Sequence, residues 1–368
     1  MHHPVESAAP PRRRRPLFGL LLLAMLGVAA CGGGGSPGSD PLPLLDMRAE
    51  AVVLSGAQAA SLRRLPERIQ AVYGYSDTGA RIDFQAGTDW QQAGAGIART
   101  AGSRIPDFAG HQPVLGLDGR FDFSPAPRNP PLTIPYQVYV DYQTRRADAM
   151  VQPAPGARRD TRVLCLGDSI AAGAHTIANY FLGTDADSYC GLLRSHLGSG
   201  AEVQNPSVPG GTLAAALAGW PALLASQPQT VVLAFGMNDH LAGAAALPAF
   251  ETRLGETVAQ AQAAGARVIL VGFMQQNTAW RLEDPAQTVA YNAAIARVGL
   301  ARGAVFLDVR QLLDRSAPDS NAIAARTGDF MHHPNNHGHR LHFSLLLPHF
   351  ITAPVAAASL PGYLDPGD

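Results

Sequence analysis

The chain has 368 residues, of which 46% are hydrophobic and 15% are charged. This composition supports a sizeable buried core and excludes a chain that is disordered throughout. The 28 basic and 29 acidic residues leave a formal net charge of −1. Such a balance gives no global field that would recruit nucleic acid or an anionic membrane surface, so nucleic acid is not an expected partner.

The first thirty residues have the pattern of an export signal. A basic run, Arg12 to Arg15, precedes an apolar stretch from Leu17 to Ala30 that is too short to span a bilayer comfortably. Small residues then lead directly into Cys31, which resembles the lipobox of bacterial lipoproteins, where the cysteine carries the lipid. The resemblance implies a signal peptide at 1–30, a flexible tether at 31–45 and an exported lipoprotein of the cell envelope. An ordinary cleavage site with an incidental cysteine is the alternative.

That lipoprotein would lie in the outer membrane or periplasm and meet the membrane only through its lipid. Two further cysteines, Cys165 and Cys190, would then be in an oxidising compartment that permits a disulfide. Cys165 lies within an apolar strand pattern, however, where a buried free thiol is common. We therefore expect a free thiol at Cys165, with pairing to Cys190 as the alternative.

Two regions of the remaining chain differ in their sequence pattern. Residues 46–152 contain short β-like runs such as 70–75 and 136–142, separated by turn residues and prolines, with one weak helical pattern at 57–65. These features predict a small, mostly β accessory region, which ends at a boundary near 153–160.

From 161 to 368, apolar runs alternate with amphipathic, alanine-rich segments. This alternation predicts a parallel sheet covered by helices on both faces, which is a three-layer α/β/α sandwich. Predicted strands lie at 162–166, 201–205, 230–235, 267–271 and 304–307. Predicted helices lie at 188–197, 212–226, 248–264 and 286–301, and a last helix begins near Asn336.

Polar residues follow three of the predicted strands, at the sheet edge where α/β folds bind their ligands. Gly-Asp-Ser follows the first strand, and its tight turn would expose the Ser169 hydroxyl, which needs a base to act as a nucleophile. A glycine-bearing turn at Gly210 offers backbone N–H groups, and Asn238 offers a side-chain amide. Both can stabilise an oxyanion. Each motif alone is also common in strand-to-helix loops, turns and helix caps that have no catalytic role.

A candidate acid and base follow near the C-terminus. Asp329 precedes His332 by three residues and His333 by four, a spacing that lets the carboxylate orient an imidazole. Five histidines between His332 and His342 also permit a metal cluster. No cysteine and few carboxylates accompany them, and such a site would leave Ser169 without a role. We therefore expect neither a metal nor any other cofactor.

Taken in order, these blocks resemble those of the SGNH (GDSL-type) hydrolase superfamily over roughly residues 162–350. The resemblance implies ester hydrolysis without a cofactor, with Ser169 as nucleophile and Asp329 as the acid that orients the base. It also implies an oxyanion hole made of the backbone N–H groups of Ser169 and Gly210 and the amide of Asn238.

The position of the base departs from the family's pattern. Members usually place the aspartate three residues before the catalytic histidine, and Pro-Asn often follows that histidine. The spacing selects His332, whereas Pro334 and Asn335 select His333. We favour His333 because the Pro-Asn pair fixes where the last helix begins, and His332 is the alternative.

Export and an added β region favour an ester of a carbohydrate, such as an O-acetyl group, because envelope polysaccharides carry such esters. Four aromatic residues could stack on sugars, although core packing is the commoner use: Trp90, Trp220, Trp280 and Tyr189. A lipase-like or general carboxylesterase is the first alternative, and an acyltransferase, in which a sugar hydroxyl intercepts the acyl-enzyme, is another. A non-catalytic, envelope-binding lipoprotein is the remaining alternative.

Overall fold

The structure is a computed structural model. It describes residues 44–109, 114–115, 121–122, 134–145, 150–151, 160–276, 284–310, 325–329, 331–350 and 355–356. The predicted signal peptide, Cys31, most of the tether, residues 153–159 of the predicted boundary and Trp280 lie outside these residues. Within the described part of the chain, no helix combines the length and apolar character that crossing a bilayer requires.

The N-terminal region is mostly β, as its alternating runs predict. Its main antiparallel sheet has the order β1–β9–β3–β4, and a smaller sheet has the order β2–β6–β5. The strands are β1 (Leu44–Val53), β2 (Ala60–Ser61), β3 (Arg68–Tyr75), β4 (Arg81–Asp83), β5 (Trp90–Ala93), β6 (Gly96–Arg99), β7 (Val114–Leu115), β8 (Phe121–Asp122), β9 (Gln137–Arg145) and β10 (Met150–Val151).

The helix predicted at 57–65 is wrong. Ala60 and Ser61 form strand β2 instead and pair with Ile97 and Gly96 of β6. Pro66 disfavours a helical conformation at the residue before it, so the weak helical pattern cannot extend. Pairing with β6 then determines the local structure.

The second half of the chain builds a five-stranded parallel sheet, which confirms the α/β sandwich. The sheet order is β12–β11–β13–β14–β15, and Gly167 at the end of β11 pairs with Ala234 at the end of β13. The strands are β11 (Arg162–Gly167), β12 (Glu202–Gln204), β13 (Thr230–Ala234), β14 (Arg267–Val271) and β15 (Val305–Leu307); β16 (Val355–Ala356) pairs with β10.

Helices connect these strands and cover both faces of the sheet. They are α1 (Ile177–Leu182), α2 (Tyr189–Leu197), α3 (Leu213–Ala216), α4 (Trp220–Ala225), α5 (Leu247–Ala263), α6 (Pro285–Arg302) and α7 (Asn336–Leu346). Helix α2 packs on α7, and α5 packs on α6. Right-handed crossovers place these two pairs on opposite faces. The helix predicted at 212–226 is broken by a 3-10 turn at Leu217–Gly219.

One hydrophobic core joins the N-terminal strands to the parallel sheet. Val138 and Val140 of β9 belong to the same buried cluster as Leu164 of β11. The amide of Gln137 donates to the carbonyl of Thr327 at 2.6 Å, close to the candidate acid and base. The N-terminal strands therefore support the segment that carries these residues, and residues 42–368 belong to one compact unit.

Cys165 and Cys190 form a disulfide, so the expectation of a free thiol at Cys165 is wrong. The apolar strand pattern correctly buries Cys165, but α2 brings Cys190 onto the same face with the two Cα atoms 6.5 Å apart. Burial and pairing are compatible, because a disulfide is itself apolar. A crosslink over 25 residues stabilises a fold by about 3 kcal/mol, and this one encloses Ser169.

Helix α7 buries three histidines. Burial lowers the pKa of His342 to about 4 and holds the pKa values of His337 and His339 well below the ordinary range. These imidazoles are therefore neutral in the folded protein at neutral pH, whereas in the unfolded chain they bind protons near pH 6.5.

We therefore predict that the free energy of unfolding is constant above about pH 7 and falls as the pH drops below about 6.5. Protons then bind the unfolded chain preferentially, and three such groups give up to about 4 kcal/mol per pH unit. Buried carboxyls with raised pKa values, such as Asp168 at about 6, act in the opposite sense and reduce this slope. Urea unfolding at pH 7.5 and 5.5 measures the difference in the free energy of unfolding between the two pH values. His342→Gln should make this difference smaller. Equal or greater stability at pH 5.5 would contradict the prediction.

Candidate active site

Ser169 lies in a tight turn directly after β11. The turn is closed by hydrogen bonds from Ala172 N to Asp168 O at 3.0 Å and from Ala174 N to Ser169 O at 2.9 Å. The Asp168 carboxyl is buried, which raises its pKa, and it accepts a bond from Ile170 N at 2.9 Å. Ser169 is thus held by the backbone of its own turn and is only 6% exposed.

His333 contacts the Ser169 hydroxyl. Its Nε2 atom lies 2.8 Å from Ser169 Oγ, although the two residues are 164 positions apart in the chain. Helix α7 begins three residues after His333, and the Asn335 side chain caps it by accepting from Gly338 N at 3.0 Å. Pro334 and the capped helix therefore fix the backbone of His333, as the Pro-Asn pair predicts.

Asp329 pairs with the other nitrogen of the same imidazole. One carboxylate oxygen is hydrogen-bonded to His333 Nδ1, and the other accepts from the backbone N–H groups of Met331, His332 and His333 at 2.9, 3.1 and 3.2 Å. Burial alone would raise the pKa of Asp329, but the bond to His333 and the neighbouring imidazoles hold it below its ordinary value. The carboxylate is therefore ionised and fixed against His333.

His332, the alternative base, is placed differently. Its ring lies against His333 with the centroids 4.2 Å apart, and its buried Nδ1 has no hydrogen-bond partner among the described residues. Burial, and then the proximity of His333, lowers the pKa of His332 to about 3. The hydroxyl of Ser169 is hydrogen-bonded to His333, so the geometry favours His333.

The sequence pattern does not single out His175, which lies against the same imidazole. Its ring stacks on His333 with the centroids 4.7 Å apart and an interplanar angle of 30°. The backbone of His175 is left-handed, with φ at +63°. A Cβ atom on Gly328 would lie 2.3 Å from the His175 carbonyl, so glycine at 328 is what lets the two segments meet. The signal for this contact is tertiary, because no local spacing relates His175 to Asp329.

The loops that carry the candidate oxyanion donors converge on the Ser169 turn. Val208 N donates to Gly167 O at 3.3 Å, and the Asn238 side-chain amide donates to Gly211 O at 3.0 Å. Among the hydrogen bonds of the described residues, none is donated by the backbone N–H of Ser169 or Gly210. Within the described part of the chain, these two N–H groups therefore have no protein acceptor.

Two side chains link these loops. The Asp239 carboxylate accepts from Leu213 N at 3.1 Å and from Gly236 N at 3.2 Å, which joins the second loop to the third. The Asn205 amide donates to Ala171 O at 2.9 Å, which joins the second loop to the Ser169 turn. Hydrogen bonds thus connect the three predicted blocks that follow β11, β12 and β13.

Among the residues that the structure describes, no three of the five clustered histidines bring their ring nitrogens together. His337, His339 and His342 are buried within α7. Within the described ranges, the ligand atoms that do converge are those of His175, Asp329 and His333, all within 4.8 Å of one another.

Comparisons with known proteins found a matching family and a related esterase. The model of the GDSL-like Lipase/Acylhydrolase family matches residues 165–341. Esterase TesA of Pseudomonas aeruginosa is 39% identical over 117 residues, which are 30% of this chain and 53% of the esterase. The match thus spans about half the length of that relative. Over residues 165–341, just under half of its length, the chain is thus similar to the SGNH (GDSL-type) hydrolase superfamily.

Solved structures that match about half of this chain were also found. A crystal structure of TesA is 27% identical and covers 51% of this chain and 96% of its own, with a TM-score of 0.41. LAE5, described as an α/β hydrolase enzyme from the metagenome of Lake Arreo, is 19% identical over 53% of this chain and 98% of its own, with a TM-score of 0.44. A catalytic mutant of Axe2, an acetylxylan esterase from Geobacillus stearothermophilus, is 18% identical over 52% of this chain and 95% of its own, with a TM-score of 0.43.

The two adjacent histidines give a direct test of the geometry. We predict that His333→Ala lowers kcat/KM for 4-nitrophenyl acetate by about three orders of magnitude or more, because it removes the group that contacts Ser169. His332→Ala should retain activity within about tenfold, since its ring packs beside the base and bonds to neither Ser169 nor Asp329. Circular dichroism would verify that both variants fold. Equal activities in the two variants would contradict the assignment.

Proposed function

We propose that this protein is a serine esterase that works through an acyl-enzyme. The observation that carries the proposal is the hydrogen-bonded series from Asp329 through His333 to Ser169. A serine hydroxyl is a weak nucleophile unless a base accepts its proton, and a base is effective when a third group orients it. The described residues supply all three groups in contact.

The proposed reaction begins when His333 Nε2 accepts the Ser169 proton as Oγ attacks the ester carbonyl. The N–H groups of Ser169 and Gly210 and the Asn238 amide are the proposed donors to the tetrahedral oxyanion. His333 then gives its proton to the departing alcohol, which leaves an acyl group on Ser169. Water, activated by the same imidazole, releases the acid and restores the hydroxyl. Asp329 stabilises the imidazolium in both halves of the reaction.

This scheme predicts that a fluorophosphonate probe labels the protein at one site. Ser169→Ala should abolish labelling and reduce esterase turnover to near background, whereas Ser226→Ala, which alters an exposed helix end, should change neither. Asn238→Ala should fold and label, but turn over roughly a hundredfold more slowly, because one oxyanion donor is worth about 3 kcal/mol. Labelling or near-normal turnover in Ser169→Ala would overturn the scheme.

We further propose an acetylated carbohydrate as the substrate. Trp90, Trp220 and Tyr189 are buried and pack in the core, so they cannot stack on a sugar. Tyr180 can, because it is 39% exposed and its ring stacks on His175 with the centroids 6.5 Å apart. An exposed aromatic ring next to His175, which itself stacks on the base, suits the apolar face of a sugar ring.

A longer acyl chain is the second candidate, and a specific observation favours it. Val208 and Leu241 lie on the loops that carry Gly210 and Asn238, and they are 62% and 58% exposed. Exposed apolar side chains at a site rim suit an acyl chain or a lipid. The two candidates thus rest on different side chains of the same site.

The two candidates make opposite predictions for two variants. If the substrate is an acetylated sugar, Tyr180→Ala should lower kcat/KM for an acetylated oligosaccharide about tenfold and leave 4-nitrophenyl acetate almost unchanged. If it is a longer ester, Val208→Ser should lower the rate with 4-nitrophenyl octanoate selectively. Rates for the three substrates in wild type and both variants separate these cases. Loss with the octanoate ester alone would contradict the carbohydrate proposal.

We also propose that the protein is exported and anchored through a lipid on Cys31. The proposal is supported by the lipobox-like sequence before Cys31 and by the Cys165–Cys190 disulfide, which is typical of oxidising compartments. Cys31→Ser should therefore abolish the incorporation of labelled palmitate. Incorporation that persists in this variant would contradict the proposed anchor.

A further inference from the structure

His175, Asp329 and His333 form a group with the composition of a metal site. Each offers one ligand atom, and the three atoms lie within 4.8 Å of one another. Two imidazoles and one carboxylate, with further positions left to water, are a common ligand set for zinc. Magnesium and calcium, which prefer oxygen ligands throughout, fit this set poorly.

Ring stacking on His333 and Tyr180 leaves one nitrogen of His175 unsatisfied. Its Nδ1 is buried and has no hydrogen-bond partner among the described residues. Its backbone lies in the left-handed region, which a non-glycine residue rarely adopts. A strained residue with an unsatisfied buried nitrogen costs free energy, so its presence beside the base calls for a ligand.

We propose that His175, Asp329 and His333 bind a zinc-class divalent cation that reversibly switches the active site off. Binding would occupy an imidazole nitrogen of His333 and an oxygen of Asp329, which the reaction needs. His333 binds the ion as a neutral imidazole: if the ion takes Nδ1, the single ring proton moves to Nε2, so no proton is lost and charge and protons balance. No bond to Ser169 forms. Binding itself is independent of the proposed function, whereas inhibition rests on it.

The binding step is tested on the full chain carrying Ser169→Ala, which leaves all three ligands in place. Competition with a chromophoric zinc indicator should reveal a site that Ser169→Ala/His175→Asn binds at least tenfold more weakly. Asparagine suits this substitution because it tolerates a left-handed backbone. His196→Ala on the same background, which removes an imidazole next to Phe343, serves as the matched control and should bind as tightly as its parent.

Inhibition by zinc is tested on the full chain with Ser169 intact. Zinc should block both fluorophosphonate labelling and turnover, magnesium should not, and a chelator should restore both. His175→Asn should need at least tenfold more zinc for the same inhibition, measured relative to its own zinc-free rate. Thermal unfolding without zinc would verify that this variant folds.

The outcomes distinguish a failure of the proposed esterase function from a failure of the proposed metal site. If labelling fails without zinc, the proposed function fails while the indicator assay still tests the metal site. If His175→Asn binds zinc as tightly as its parent, or is inhibited at the same concentration as wild type, the metal site is overturned. If zinc binds at this site but labelling proceeds unhindered, the regulatory part of the proposal is wrong.

Discussion

The hydrogen bond between His333 and Ser169 is the contact on which the arrangement of the site depends. It joins two segments 164 residues apart, and each segment also has local contacts of its own. The nucleophile turn is held by its own backbone bonds at the end of a buried strand. The base is held by a carboxylate on one side and by a capped helix on the other. Neither side chain has to be ordered by substrate, which is the preorganisation that such chemistry requires.

The rest of the fold can be understood as support for this contact. The disulfide holds β11 to α2, and α2 packs on α7, the helix that follows the base. The N-terminal sheet packs on the same side through β1 and binds the Thr327 carbonyl through Gln137. The N-terminal strands therefore belong to the framework that holds His333, and their removal would expose one side of α7.

The parallel sheet and most of the site could be predicted from the sequence because their signals are local. Apolar runs define β11 and β13, Gly-Asp-Ser marks the turn, and Pro334 with Asn335 marks where α7 begins. The features that were missed depend on contacts between distant segments. The six-residue helix α1 is too short for a periodic signal, and the disulfide depends on how α2 docks. His175 lies beside His333 only because Gly328 permits the close approach of two loops.

The most direct test of the central claim is a crystal structure of the protein after reaction with a fluorophosphonate. We expect phosphorus bonded to Ser169 Oγ and one phosphoryl oxygen within hydrogen-bond distance of the backbone N–H groups of Ser169 and Gly210. The His333 imidazole should remain bonded to Asp329 and face the adduct. An adduct on another residue, or an imidazole of His333 turned away from Asp329 and from Ser169, would contradict the account.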